Sequence, residues 1–112
     1  KIKVKDATTR SPGKKITFIT DTKYCANAIK LAKDADVLIC ESTYMEDLKE
    51  KAREFFHMTT KEAALIAKKA KVKKLIITHY SQRYKDPKAM EAEAKTVFPN
   101  TIASYDFMVY KV

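Results

Sequence analysis

Lys74-Leu75-Ile76-Ile77-Thr78-His79-Tyr80-Ser81-Gln82-Arg83-Tyr84 runs from a short apolar segment straight into a cluster of reactive side chains. Five residues are too few for a buried helix, and polar neighbours bound the run. It therefore predicts a strand buried on both faces, as parallel strands between helices are. Residues 16–20 (Ile-Thr-Phe-Ile-Thr) and 36–40 (Asp-Val-Leu-Ile-Cys) have the same form. Between these runs, Ala28, Ile29 and Ala32, then Ala63, Ala64, Ala67 and Ala70, recur at helical spacing, which predicts crossover helices over 26–33 and 60–71. Thr59 and Glu62 have the spacing of a capping box, in which each side chain accepts a hydrogen bond from an unpaired backbone N–H.

Working outward, Ser11-Pro12-Gly13 is the strongest turn signal and predicts a hairpin-like entry between a segment with Ile2 and Val4 and the strand from residue 14. Pro87 opens a further helical stretch to about residue 98. Pro99-Asn100 stops it before two alternating runs, 101–105 and 107–110. No internal repeat is visible. The order strand, helix, strand, helix, strand, helix, strand, strand predicts an α/β domain, helices packed on a mixed sheet, over residues 1–112 as one unit.

Composition limits the function classes. Of 112 residues 46% are hydrophobic and 33% charged, with a single Gly, so the chain is ordered and not low-complexity. Lys and Arg exceed Asp and Glu by 23 to 14, a formal charge of +9 that favours polyanionic partners, although Lys-rich surfaces also occur in heat-adapted proteins. Cys25 and Cys40 form no CxxC pair, so a disulfide framework is not expected and a reducing cytoplasm fits best. No apolar run approaches the roughly 20 residues that span a bilayer, and no signal-peptide pattern opens the chain. The first residue is Lys1, and the start already has the character of chain interior; an N-terminal portion is expected to be missing.

Polar chemistry collects where the predicted strands end, the usual place for sites in α/β proteins. Thr20-Asp21-Thr22, Cys40-Glu41-Ser42-Thr43 and Thr78-His79-Tyr80-Ser81 follow the three strands, and His57-Met58-Thr59-Thr60 precedes a helix. Each residue has an ordinary reading. Asp21 suits a helix N-cap, Glu41 a solvated strand-end carboxylate, His57 a loop residue at a helix start, His79 a hydrogen-bonded strand-end His, and Arg83 a surface cation. Together they suit a site: Asp21 and His79 as metal ligands, Glu41 orienting His57 as a general acid, and Ser81, Arg83 and Tyr84 as donors to phosphate. The lysines around 68–74 fit solvated helix-end charge.

These motifs resemble the ribonuclease Z family of the metallo-β-lactamase fold. The six residues His79-Tyr80-Ser81-Gln82-Arg83-Tyr84 match that family's His-Phe-Ser-Gln-Arg-Tyr with one aromatic exchange. Thr20-Asp21-Thr22 is similar to its Gly-Asp-Thr, Cys40-Glu41-Ser42-Thr43 to its His-Glu-Ala-Thr, and His57-Met58-Thr59 to its His-Ser-Thr. The family's N-terminal His-x-His-x-Asp-His motif and a further mid-chain His have no counterpart here. The resemblance implies the C-terminal half of an αββα sandwich. It implies a zinc-dependent endoribonuclease, two metals per complete site, that removes the 3′ trailer from precursor tRNA by attack of a metal-held hydroxide. Asp21 would bridge metals, His79 would bind one, and His57 held by Glu41 would protonate the leaving 3′-oxygen. A homodimer is possible on the same grounds. The competing readings are another phosphodiesterase of this fold and a non-catalytic RNA-binding or assembly fragment, since Asp21 and His79 alone cannot close a two-metal site.

Overall fold

The computed structural model describes residues 6–11, 13–20, 22, 24–81, 83–105 and 108–110. Among these residues five strands form one sheet whose spatial order is the chain order: β1 (Asp6–Ser11), β2 (Lys14–Ile19), β3 (Val37–Glu41), β4 (Lys74–Thr78) and β5 (Thr101–Ala103). β1 and β2 are antiparallel with Ser11 opposite Lys14, so the turn between them is two residues long. Gly13 has φ 74° there, a left-handed conformation that a side chain would oppose. The remaining pairings are parallel, with Ile19 opposite Cys40, Cys40 opposite Ile77, and Ile77 opposite Ala103. The hairpin-like entry is thus present, although Ile2 and Val4 lie outside the described residues.

Period-two alternation decides which side chains meet the helices. Ile19, Leu38, Cys40, Leu75 and Ile77 share one face and form the core with Ala28, Ala32, Ala63, Ile66, Ala67, Ala70 and Met90. Those residues come from α1 (Ala26–Ala32), α3 (Thr60–Ala70) and α4 (Lys88–Lys95). Alanine dominates the helical side, so these helices lie close against the sheet. The large apolar side chains Leu38, Ile66, Leu75 and Ile77 are fully buried, which stabilises each by roughly 1.5–3 kcal/mol relative to exposure.

The opposite face differs from expectation. Phe18 is 38% exposed, so β2 is not buried on both faces. Phe18, Ile39 and Ile76 are one residue out of phase with the core set and lie outside the core cluster. Ile76 is itself buried, so β4 is buried on both faces as expected, while Ile39 is only half-buried. Ile39 and Ile76 instead form part of the wall of an open cleft of about 880 Å3.

Three other expectations are revised. A 3₁₀ turn (Glu46–Leu48) and helix α2 (Lys49–Glu54) occupy a stretch without predicted structure. Only Ala52 of α2 is buried, so no apolar periodicity announced it. The C-terminal helix ends at Lys95, not near residue 98, and Met108–Tyr110 is not a strand, while Phe107 lies outside the described residues. The N-cap position of α1 is Cys25, and Asp21, the residue expected there, lies outside the described residues. The capping box at α3 is as expected: Thr59 Oγ1 accepts from the Glu62 N–H and Glu62 Oε1 accepts from the Thr59 N–H, each at 3.1 Å.

At the other end of the sheet, Asp36 ties three strand starts together. Its carboxylate accepts the Lys15 backbone N–H at 2.8 Å and lies 3.1 Å from the Lys73 ammonium. The Lys15 N–H and then Lys73 hold its pKa below the usual carboxylate range. No helix among the described residues is long and apolar enough to cross a membrane.

Candidate active site

Glu41 closes β3 and is fully buried, which for a carboxylate requires donors. Three converge on Oε2: His57 Nδ1 at 2.9 Å, the Met58 backbone N–H at 3.0 Å and the Thr43 hydroxyl at 3.1 Å. With the neighbouring N–H and O–H groups aimed at the same oxygen, Nδ1 of His57 is the proton-bearing nitrogen toward Glu41. Nε2 is then the atom free to exchange a proton with a ligand. The His57 side chain is 22% exposed, sheltered but reachable. Glu41 Oε1 is buried without a hydrogen-bond partner among the described residues.

The backbone fixes His57 as firmly as Glu41 fixes its ring. α2 ends with Phe56 at φ 59°, and two hydrogen bonds close the end: Phe56 N–H to the Arg53 carbonyl at 3.3 Å and His57 N–H to the Ala52 carbonyl at 2.7 Å. This is a Schellman motif with a non-glycine residue in the left-handed position. The unpredicted helix α2 therefore has a role in the site: its C-terminus sets where His57 begins. Beyond His57 the chain runs parallel to the loop after β3, with Thr43 N–H bonded to the Met58 carbonyl at 3.1 Å and Thr60 N–H to the Tyr44 carbonyl at 2.9 Å.

His79 follows β4 with φ 62°, left-handed backbone that His adopts more readily than most residues but still at a cost of roughly 1 kcal/mol. That turn ends the strand and sends the next residues back over the sheet end. Its ring lies 5.9 Å from the His57 ring, centroid to centroid. Ser42 N–H to the Thr78 carbonyl at 2.7 Å and Ser81 N–H to the Thr43 carbonyl at 2.9 Å join this loop to the Glu41 loop.

The remaining expected residues are arranged around this centre. Ser81 Oγ accepts the Arg83 N–H at 3.4 Å. The exposed Arg83 guanidinium sits 6.0 Å from the Tyr44 ring centroid, and Tyr44 in turn meets His57 edge-on at 6.4 Å. Tyr84 Oη accepts the Met45 N–H at 2.8 Å, so part of its hydrogen-bonding capacity is committed to holding the loop after β3. The structure thus brings Glu41, His57 and His79 together, with Ser81, Arg83 and Tyr84 on the adjoining turn. Asp21 lies outside the described residues. Thr43, Tyr44 and Met45 were not singled out from sequence; Thr43, two residues beyond a buried acid with a hydroxyl to donate, was the one with a local signal.

Among the described residues no group of three or more His, Cys, Asp and Glu side chains is placed to hold a metal ion. His79 offers one suitable imidazole donor. By themselves these residues do not complete a metal centre.

Residues 7–80 match the family model described as "Beta-lactamase superfamily domain". The chain belongs to that family. It is similar to Ribonuclease Z of Protochlamydia amoebophila, 48% identical over 98 residues covering 88% of this chain and 32% of the relative. With Ribonuclease Z of Listeria welshimeri it is 49% identical over 102 residues, covering 89% and 33%. Among solved structures, human tRNase Z, short form, superimposes with a TM-score of 0.70 at 30% identity, covering 93% of this chain and 35% of that one. The metallo-beta-lactamase fold protein YhfI from Bacillus subtilis gives 0.78 at 27% identity, covering 86% and 39%. The α/β architecture of this beta-lactamase superfamily chain is therefore the metallo-β-lactamase fold, and the chain spans about a third of the length of the curated relatives it matches.

Proposed function

We propose that the protein is a metal-dependent endoribonuclease that removes the 3′ trailer from precursor tRNA. The observation behind this reading is the buried Glu41 gripping His57 Nδ1, with the His79 ring 5.9 Å from that of His57. The likeness to Ribonuclease Z proteins supplies the substrate class. In this reading Asp21 and His79 are metal ligands that act with donors beyond the described residues. Zinc bound there would supply Lewis acidity at the phosphodiester and lower the pKa of a water.

The chain's own residues do the rest. As the oxygen of a water bonds to phosphorus and the bond from phosphorus to the 3′-oxygen breaks, His57 in its doubly protonated form delivers the Nε2 proton to that leaving oxygen, giving a tRNA 3′-hydroxyl and a 5′-phosphorylated trailer. Glu41 stabilises the imidazolium and fixes the ring. Arg83, Ser81 and the free hydrogen of the Tyr84 hydroxyl hold phosphate oxygens beside His79. The net charge of +9 favours approach of RNA. A cytoplasmic homodimer is the setting this reading implies.

The test is cleavage of precursor tRNA by the full-length protein with product ends mapped. His57→Ala is expected to lower kcat by about 10²- to 10⁴-fold, the range for loss of a general acid. His79→Ala and Asp21→Ala should instead reduce bound zinc, measured by elemental analysis. Undiminished cleavage in all three sinks the assignment. A second reading, a non-catalytic RNA-binding module, draws on the same charge and on the lack of a three-donor group among the described residues. Tight RNA binding without cleavage by the full-length protein would favour it.

A further inference from the structure

Glu41 ends β3 and His57 lies in the loop before α3, and a single oxygen of a third element touches both the 3₁₀ turn that follows the Glu41 loop and the start of α3. Glu93 lies on α4. Its Oε1 accepts the Glu46 backbone N–H at 3.0 Å and also the Thr60 hydroxyl. Glu46 opens the 3₁₀ turn at the end of the loop after Glu41, and Thr60 opens α3 three residues after His57. Glu46 extends the same connection: its own Oε1 accepts the Thr59 hydroxyl at 2.8 Å. The two loops also bridge in parallel between Tyr44 and Thr59.

We propose that Glu93 is a positioning residue for His57, a clamp that fixes the His57 loop against the Glu41 loop without touching substrate. This rests on the reading of His57 as the proton donor. The geometry explains why a carboxylate from α4 is directed at this spot. Backbone pairing sets the distance between the loops at Tyr44 and Met58, but beyond those points each loop turns away into its own helix. An acceptor at the fork, shared by one donor from each side, prevents the two from sliding. Removing it frees an N–H and a hydroxyl that no longer have a common partner. A displacement of His57 by about 1 Å is enough to cost on the order of 10²-fold in rate, because proton transfer needs hydrogen-bond geometry.

Both bonds use Oε1 alone, so an amide oxygen, with two lone pairs, can replace it. The charge is not what the clamp requires. This distinguishes it from an electrostatic role.

The experiment compares Glu93→Ala and Glu93→Gln in the full-length protein, with His57→Ala beside them. Two quantities are read: kcat and KM on precursor tRNA, and the His57 Nδ1–H resonance in the ¹⁵N-labelled protein. Glu93→Ala is expected to lower kcat by on the order of 10²-fold with KM within about twofold, and to broaden or abolish the Nδ1–H signal. Glu93→Gln is expected to retain both the signal and most of kcat. The clamp is overturned if Glu93→Ala leaves the signal and kcat intact, if its loss falls on KM, or if Glu93→Gln is as impaired as Glu93→Ala. Should His57→Ala cleave normally, the proton-donor reading fails, while the Nδ1–H signal still decides whether Glu93 holds His57 in place.

Discussion

Tyr80 stands between His79 and Ser81 in chain order but turns the other way. Its hydroxyl lies 2.8 Å from the Ile77 carbonyl and 3.0 Å from that of Ser104, tying the end of β4 to the segment after β5. Burial is the main reason its pKa is raised, Glu91 adds to that, and the bonds to Ser104 oppose it. The phenol is therefore held as a neutral donor. Tyr80→Phe removes this donor and should lower unfolding stability by about 1 kcal/mol in denaturant titrations. Because the ring still packs, metal content and cleavage by the full-length protein should be unchanged. A large loss of cleavage would mean that Tyr80 orients His79.

At the scale of elements, helix α3 ends with Lys71 at φ 59°. Val72 N–H bonds to the Ala67 carbonyl at 3.2 Å and Lys71 N–H to the Lys68 carbonyl at 3.3 Å. This repeats the pattern that ends α2, again with a residue other than Gly in the left-handed position. Lys71→Gly should raise stability by roughly 1 kcal/mol, read as an increased melting temperature. At the other end of the same helix, Thr59→Ala removes the cap, frees the Glu62 N–H and breaks the bond to Glu46. A loss of about 1 kcal/mol is expected, with a fall in kcat if the His57 loop shifts with it.

Which elements were legible follows from what each buries. β3, β4 and α3 declare themselves because Leu38, Ile77 and the alanines at 63, 64, 67 and 70 sit at positions their periodicities demand. α2 did not, because Ala52 is its one buried residue and its order depends on the Schellman bonds at its end. The Glu41–His57 pair was legible from residue types at two element boundaries. Of its supports, Thr43 stands two residues from Glu41, whereas Glu46 reaches Thr59 and Glu93 reaches Thr60 across separations that only the tertiary fold closes. Tyr84 shows the same limit, since the bond it accepts from Met45 spans a sequence separation that no motif encodes.

For the molecule as a whole, Asp36 gives stability a defined dependence on acid. Its folded pKa lies below the unfolded value, so the stabilisation it brings is complete above about pH 4 and is lost as pH falls through the lower folded value. Thermal melts between pH 6 and pH 2 should show a steeper acid-side decline in the parent than in Asp36→Asn, whose melting temperature is lower at neutral pH. Equal slopes would assign the acid sensitivity to other carboxylates.

Among the described residues the strands lie in the sheet in chain order, β1 to β5, and no strand is inserted between two earlier ones. From β2 onward each strand pairs with the edge of its predecessor, and α1, α3 and α4 in the connections cover the same face. A sheet in this order can close one neighbouring pairing at a time, without a search among distant partners. A cut between β4 and β5 would remove one edge pairing and leave intact the ladder bonds that join β1 to β4.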